Sequence, residues 1–389
     1  MKTVFFALAL AAAATAQAAP YVPASGQQVI ETLPRRGDPV QQQLRRLRSE
    51  LTARPDDMAL ATELATRYIA LARSDTDPRY LGYAQAALAP WWWLSAPPPQ
   101  VRLLRATLLQ STHQFDPALD DLKAVLAADP NNAQAWLTQA TVQTVRGDYT
   151  GATASCARLS ATSIELVTIT CIANVGTVTG RSQKSEQLLD LTLERSANAP
   201  AELQVWALTL LAEMAQRRGD AAVAEARYKR ALALRPRDSY LLGAYSDFLL
   251  EQKRAADVIA LLADQTRIDA LLLRRALALQ QQRAMNSLAA DVKELAARFD
   301  AAALRGDTVH QREQARFELL LRNDAATALA LARKNWTVQK EPADMRILLE
   351  SALKARDAGA ARPVLDWIAR NQTEDVAATR LIRQLNTGT

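Results

Sequence analysis

Histidine occurs only twice in the 389 residues, and so does cysteine. His113 and His310 stand far apart, with no Cys, Asp or Glu at zinc-ligand spacings such as H-E-x-x-H or C-x-x-C, so neither metal nor cofactor is expected. A G-x-S-x-G elbow, a phosphate-binding P-loop and a dinucleotide glycine fingerprint are missing too. The chain is therefore read as no enzyme. Long apolar runs are lacking beyond residue 19, where nothing approaches the ~20 residues of a membrane-spanning helix. Charge of one sign is lacking as well, because the formal +6 is spread as alternating acids and bases in stretches such as "VAEARYKRALALRPRD". That mixture belongs to solvated helix faces. The one basic cluster, "LRRLRSELTARPDD", carries Glu50, Asp56 and Asp57 and no aromatics to stack bases, so nucleic acid is not expected as a partner.

Glycine is scarce and aromatics are few, while Ala, Leu, Arg, Glu and Gln dominate, which is the vocabulary of good helix formers. An all-helical protein follows. The length allows two or three ordinary domains or one array of small repeats that bury a core between neighbours, and this composition favours the array.

The chain opens "MKTVFFALALAAAATAQAA", one Lys, an apolar run from Val4 to Ala14, then Ala16-Gln17-Ala18 as an A-x-A cleavage site. Residues 1–19 read as a signal peptide, and the mature protein as exported, in a bacterial periplasm or released. In an oxidising compartment Cys156 and Cys171 are expected to pair, closing a loop of ~15 residues for about 3 kcal/mol. The other reading is two small buried apolar side chains that never meet.

Internal periodicity is the strongest signal. "HQFDPALDDLKAVLAADPNNAQAW" is followed 34 residues later by "GDYTGATASCARLSA", with Phe115 over Tyr149 and Ala118 over Ala152. A further copy, "LLAEMAQRRGDAAVAEARYKRALALRPRDS", carries Ala212, Gly219, Ala224, Tyr228, Ala231 and Pro236 at the same relative places. These residues resemble the tetratricopeptide repeat. The pattern has a physical meaning of its own. Small residues (Ala106, Ala140, Ala212 and Ala118, Ala152, Ala224) let paired helices approach, and Leu122, Tyr228 and Leu262 fill the space between hairpins. Gly147 and Gly219 end first helices, Pro130 and Pro236 stop second ones, and Asn131 or Asp238 can cap the next. Each hairpin leaves an apolar face, so hairpins must stack.

The register predicts helix pairs over 58–90, 99–130, 133–164, 166–198, 201–236, 239–265, 267–304, 308–336 and 341–371. The resemblance implies an all-α, right-handed superhelical solenoid of antiparallel helix pairs. Residues 20–38, with three prolines, read as an extended arm. Residues 39–266 read as repeats led by a capping helix over 39–53, and 267–389 as divergent repeats, or a plain helical domain, ending in a cap near 373–386.

The resemblance also implies a concave groove, lined by first helices, that receives a peptide or an extended segment of a partner protein. In this register Gln134, Thr141, Trp206, Glu213, Arg217, Tyr240 and Asp247 face it, with Trp206 and Tyr240 as either anchors or core. The expectation is a periplasmic scaffold or adaptor for a protein or peptide. A binder of cell-wall or lipid material and a divergent envelope enzyme are the alternatives. Asp120-Asp121 reads as solvated surface. In "LAPWWWLSAPPPQ" prolines stop helix on both sides and Tyr68 and Leu109 lie seven residues further apart than one repeat, so the three tryptophans read as a plug at an insertion with one left exposed.

Overall fold

A computed structural model describes Ser25, Gln27, Gln28, residues 37–307 and residues 309–387. The predicted signal peptide and most of the predicted arm lie outside the described residues. The described residues contain helices and turns and no strand. The chain divides between Ser49 and Glu50 into two compact units. Most of α1 (Pro39–Ala53) belongs to the first, with Leu44 and Leu47 buried on one side.

The second unit is an all-α solenoid of helix pairs. They are α2 (Met58–Asp75) with α3 (Arg79–Ala87), then, after the single turn α4 (Ala89–Trp92), α5 (Pro99–Ser111) with α6 (Phe115–Ala128). Next come α7 (Ala133–Arg146) with α8 (Tyr149–Arg158), α9 (Glu165–Gly176) with α10 (Ser182–Arg195), and α11 (Ala201–Arg218) with α12 (Ala221–Leu234). There follow α13 (Ser239–Glu251) with α14 (Ala255–Leu261), and α15 (Asp269–Gln281) with α16 (Met285–Leu304). The last are α17 (Gln311–Leu320) with α18 (Ala325–Val338), α19 (Pro342–Ala355) with α20 (Arg362–Asn371), and the closing α21 (Val376–Thr387). Each pair lies on a range that the period predicts.

The small residues do what close packing needs: Ala106, Ala118, Ala140, Ala152, Ala212 and Ala224 have no exposed surface. Between the two helices of a pair the chain reverses through one left-handed residue. Gly147 (φ 83°), Gly180 (66°) and Gly219 (92°) take this position at little cost, but His113 (59°), Lys253 (61°), Arg283 (58°), Asn323 (55°) and Arg356 (56°) take it as well. The turn is therefore kept where its glycine is not. Asp148, Asp220 and Asp324 follow it directly, each accepting a hydrogen bond from a backbone N–H in the first turn of the second helix. First helices are capped by Asp57, Asn132 and Asp238. The cap of α7 is thus Asn132 and not its neighbour Asn131.

The solenoid winds tightly enough to meet itself. One apolar core joins α9 to α17 through Leu189, Leu211, Tyr228, Phe248 and Phe317. A second joins α7, α8 and α9 to α17–α21, with the Trp367 ring against those of both Tyr149 and Trp336. Polar bonds close the same seam: Lys340 N donates to Val145 O (2.7 Å) and Thr373 Oγ1 to Val178 O (2.9 Å). The ninth pair thus sits on the third and fourth. A bridge between Cys156 and Cys171 (Cα–Cα 5.6 Å) ties α8 to α9 inside this second core.

Candidate functional site

The winding leaves two adjoining cavities on the inner face. The wider, about 1020 Å³, lies among α2–α6 and the ends of α15–α17. Its apolar side is made by Leu81, Trp92, Leu108 and Leu109, and its rim carries charges of both signs, among them Arg102, Asp120, Arg267, Asp269 and Asp307. The tryptophan run forms one edge. Trp92 is 8% exposed and Trp93 86%, so adjacent side chains divide between plug and surface. Arg105 holds them there. It donates from Nη1 to the carbonyls of Trp92 (2.6 Å) and Leu94 (3.1 Å), and grips Asp121 with Nε (2.6 Å) and Nη2 (2.7 Å). Asp121 is therefore buried in a bidentate pair, correcting its reading as solvated surface; Asp120 alone is exposed. The burial follows from Arg105 on α5, which reaches Asp121 on α6 and the carbonyls of the Trp loop together.

The narrower chamber, about 370 Å³, takes in most of the residues assigned to the groove. Thr141, Glu213, Arg217, Tyr240 and Asp247 all line it. Two predicted groove residues do not. Gln134, in the first turn of α7, spends its amide on Thr138 Oγ1 (3.1 Å), and Trp206 is half-buried against the second core. Facing the five are residues from the returning helices: Arg274, Arg312, Arg316, Lys340 and Glu341. First helices of successive pairs converge on one space because the superhelix completes its turn there. The returning helices narrow the space in front of these five residues.

Its electrostatics are those of charges walled in by protein. Asp247 accepts from Arg274 Nη2 (2.6 Å) and Arg316 Nη2 (2.9 Å); burial pushes its carboxyl up, but the two guanidinium groups outweigh that and hold it below the usual carboxylate range. Glu213 accepts from the Tyr240 hydroxyl (2.9 Å), and burial raises its pKa despite Arg217. The negative charge of Glu213, and then burial, push the Tyr240 phenol well up. Tyr240 nonetheless keeps 66% of its surface and lines the chamber.

Behind this wall Asp344, with no exposed surface, accepts from Asn335 Nδ2 (2.7 Å), Arg312 Nη1 (3.3 Å) and Glu341 N (2.9 Å). Burial pushes its pKa up to about 6 against the pull of Arg312. A carboxyl whose folded pKa exceeds its unfolded one stabilises the fold when protonated, and that stability is lost as pH rises through about 6. Urea midpoints taken from pH 7 down to pH 4 should therefore carry an upward contribution of roughly 3 kcal/mol at most from this group. Asp344→Asn should remove one proton's share of that slope; an unchanged slope would refute the assignment.

The sequence offered a signal for the missed basic residues. Arg312 and Arg316 are four apart on one helical face, and "LLLRRALAL" sets Arg274 and Arg275 in an apolar run, where buried charge needs a partner. The partners, Asp247 and Asp291, lie 27 and 16 residues from those arginines.

No family model matches the chain, and no curated protein does. Among solved structures, the human IFIT1 dimer with m7Gppp-AAAA aligns at 13% identity over 90% of this chain and 87% of that one, with a TM-score of 0.44. The TPR domain of P58(IPK) aligns at 14% identity over 82% and 94%, with a TM-score of 0.22. Overlaps of this size transfer nothing from either protein to this chain.

Proposed function

We propose that the protein is an exported helical-repeat scaffold that binds a segment of a partner protein in the wide cavity beside Trp93. One observation carries the reading: a largely exposed tryptophan, backed by a buried one and braced by Arg105, at the edge of a cavity of about 1020 Å³. Tryptophans in such positions are common anchors of protein interfaces, and an apolar side with a rim of both charge signs suits a peptide carrying apolar and charged side chains. A lipid would be better served by a continuous apolar lining. Export is supported by the pattern of residues 1–19 and by the paired cysteines, and fits a periplasmic site. Among the described residues no helix is long and apolar enough to cross a membrane. The role is binding rather than catalysis: the ionised groups of the narrower chamber are largely engaged with one another, and His113 is stacked on Phe115.

The test is a photo-reactive phenylalanine installed at Trp93 and, as a control, at the half-buried Trp206. Irradiation in envelope extract should give a discrete protein adduct from position 93 and none from 206. Adducts with glycan or lipid alone, or equal labelling from both positions, would sink the reading.

A further inference from the structure

The narrow chamber holds more donors than its own acceptors use. Each carboxylate in its lining is engaged: Glu213 by Tyr240, Asp247 by Arg274 and Arg316, Glu313 and Glu341 by Arg312 (3.2 and 2.8 Å). Three donors remain. Arg217 has the Thr177 hydroxyl as its one hydrogen-bond partner, its Nε is buried with none, and Glu213, one turn earlier on α11, is turned to Tyr240. Lys340 donates to the Trp336 carbonyl (3.3 Å) and lies 5.8 Å from the centre of that ring. The Asn174 carboxamide lines the chamber and makes no hydrogen bond. Among the described residues no carboxylate comes within ion-pair distance of Arg217 or Lys340.

Two half-buried cations without a carboxylate in direct contact are costly; burial, then Arg146, lower the Lys340 pKa against the more distant pull of Asp344. A tolerated cost of this kind marks a functional site more often than a structural one. The three donors come from α9, α11 and the segment before α19, so they meet only because the superhelix has closed. We infer that the chamber is a binding site for a compact anion, a small carboxylate or phosphate, held by Arg217, Lys340 and Asn174. Its volume of about 370 Å³ is at the lower end of small-molecule pockets, which suits a compact ligand. The wide cavity shares Thr76, Ile268 and Ala270 with it and adjoins it. This site is separate from the partner surface at Trp93.

Calorimetric titration of the full chain at fixed ionic strength, with sodium succinate, sodium phosphate and putrescine as probes, tests the site. One or both anions should bind with a single site per chain, and putrescine should not. A response to succinate assigns a carboxylate, and one to phosphate a phosphate. Charge-assisted hydrogen bonds of this kind are each worth about tenfold or more in affinity. Arg217→Gln and Lys340→Met should each weaken binding by about that factor while melting cooperatively, and Lys340→Arg should restore it. Absence of any anion response, binding unchanged in both charge-removing variants, or competition by putrescine would each overturn the inference. If Arg217→Gln does not fold, the contrast between Lys340→Met and Lys340→Arg decides alone.

Discussion

Asp247→Ala is expected to cost about 3–5 kcal/mol of folding stability, the range for removing one partner of a buried ion pair. Asp247 lies on α13, Arg274 on α15 and Arg316 on α17, so one carboxylate holds two guanidinium groups from the next two first helices. All three side chains are mostly buried, and with alanine two positive charges would face each other across the vacated space. Coulomb repulsion and the unmet desolvation cost act in the same direction. Asp247→Asn, which keeps an acceptor but no charge, should fall between. The same pair gives an acid limb. A depressed carboxyl contributes stability that is present above the unfolded value of ~3.9 and is lost as pH falls through its folded value. Wild type should therefore lose stability below pH ~4 more steeply than Asp247→Ala. Chemical denaturation at pH 7 and pH 3 measures both effects, and a loss under about 1 kcal/mol at pH 7 would show that the triad is not what joins these helices.

The second large effect is removal of the bridge. Cys156→Ala with Cys171→Ala should lower stability by about 3 kcal/mol, the chain-entropy value for a loop of ~15 residues. The sulfurs join α8 to α9 within the core that also receives α18–α21, so the loss should appear in the global transition and not as local fraying. Alanine is the replacement of choice because both positions are buried, where a serine hydroxyl would need a partner. Alkylation without reductant should find no thiol in the protein isolated under oxidising conditions. Two labelled cysteines, or a double variant within 1 kcal/mol of wild type, would contradict the prediction.

How far the sequence could be read depends on how local each interaction is. The helix pairs were legible because a 34-residue spacing of Ala, a large apolar residue, Gly and Pro encodes contacts inside one hairpin and with the next. The later pairs read weakly because Lys253, Arg283 and Arg356 hold the left-handed turn that glycine marks earlier, so the conformation persists without its signature. Five of the seven residues assigned to the inner face, Thr141, Glu213, Arg217, Tyr240 and Asp247, share the chamber lining because they keep one phase on successive first helices. Trp206 shows the limit of that reasoning. Its position on α11 turns it to a core that α7–α9 share with helices more than 100 residues further on.

The sequence by itself determined the helices, their pairing, the cap at Asp238, and the two cysteines that could meet, since each rests on neighbours within one or two repeats. Only the tertiary structure decided that residues of the returning helices face the inner face, that Asp121 is buried, and that Trp92 and Trp93 part ways. Small rotations between pairs add up along a solenoid, and no local pattern records their sum. Whether the ninth pair meets the third depends on that sum, and with it the company that Arg217 and Lys340 keep.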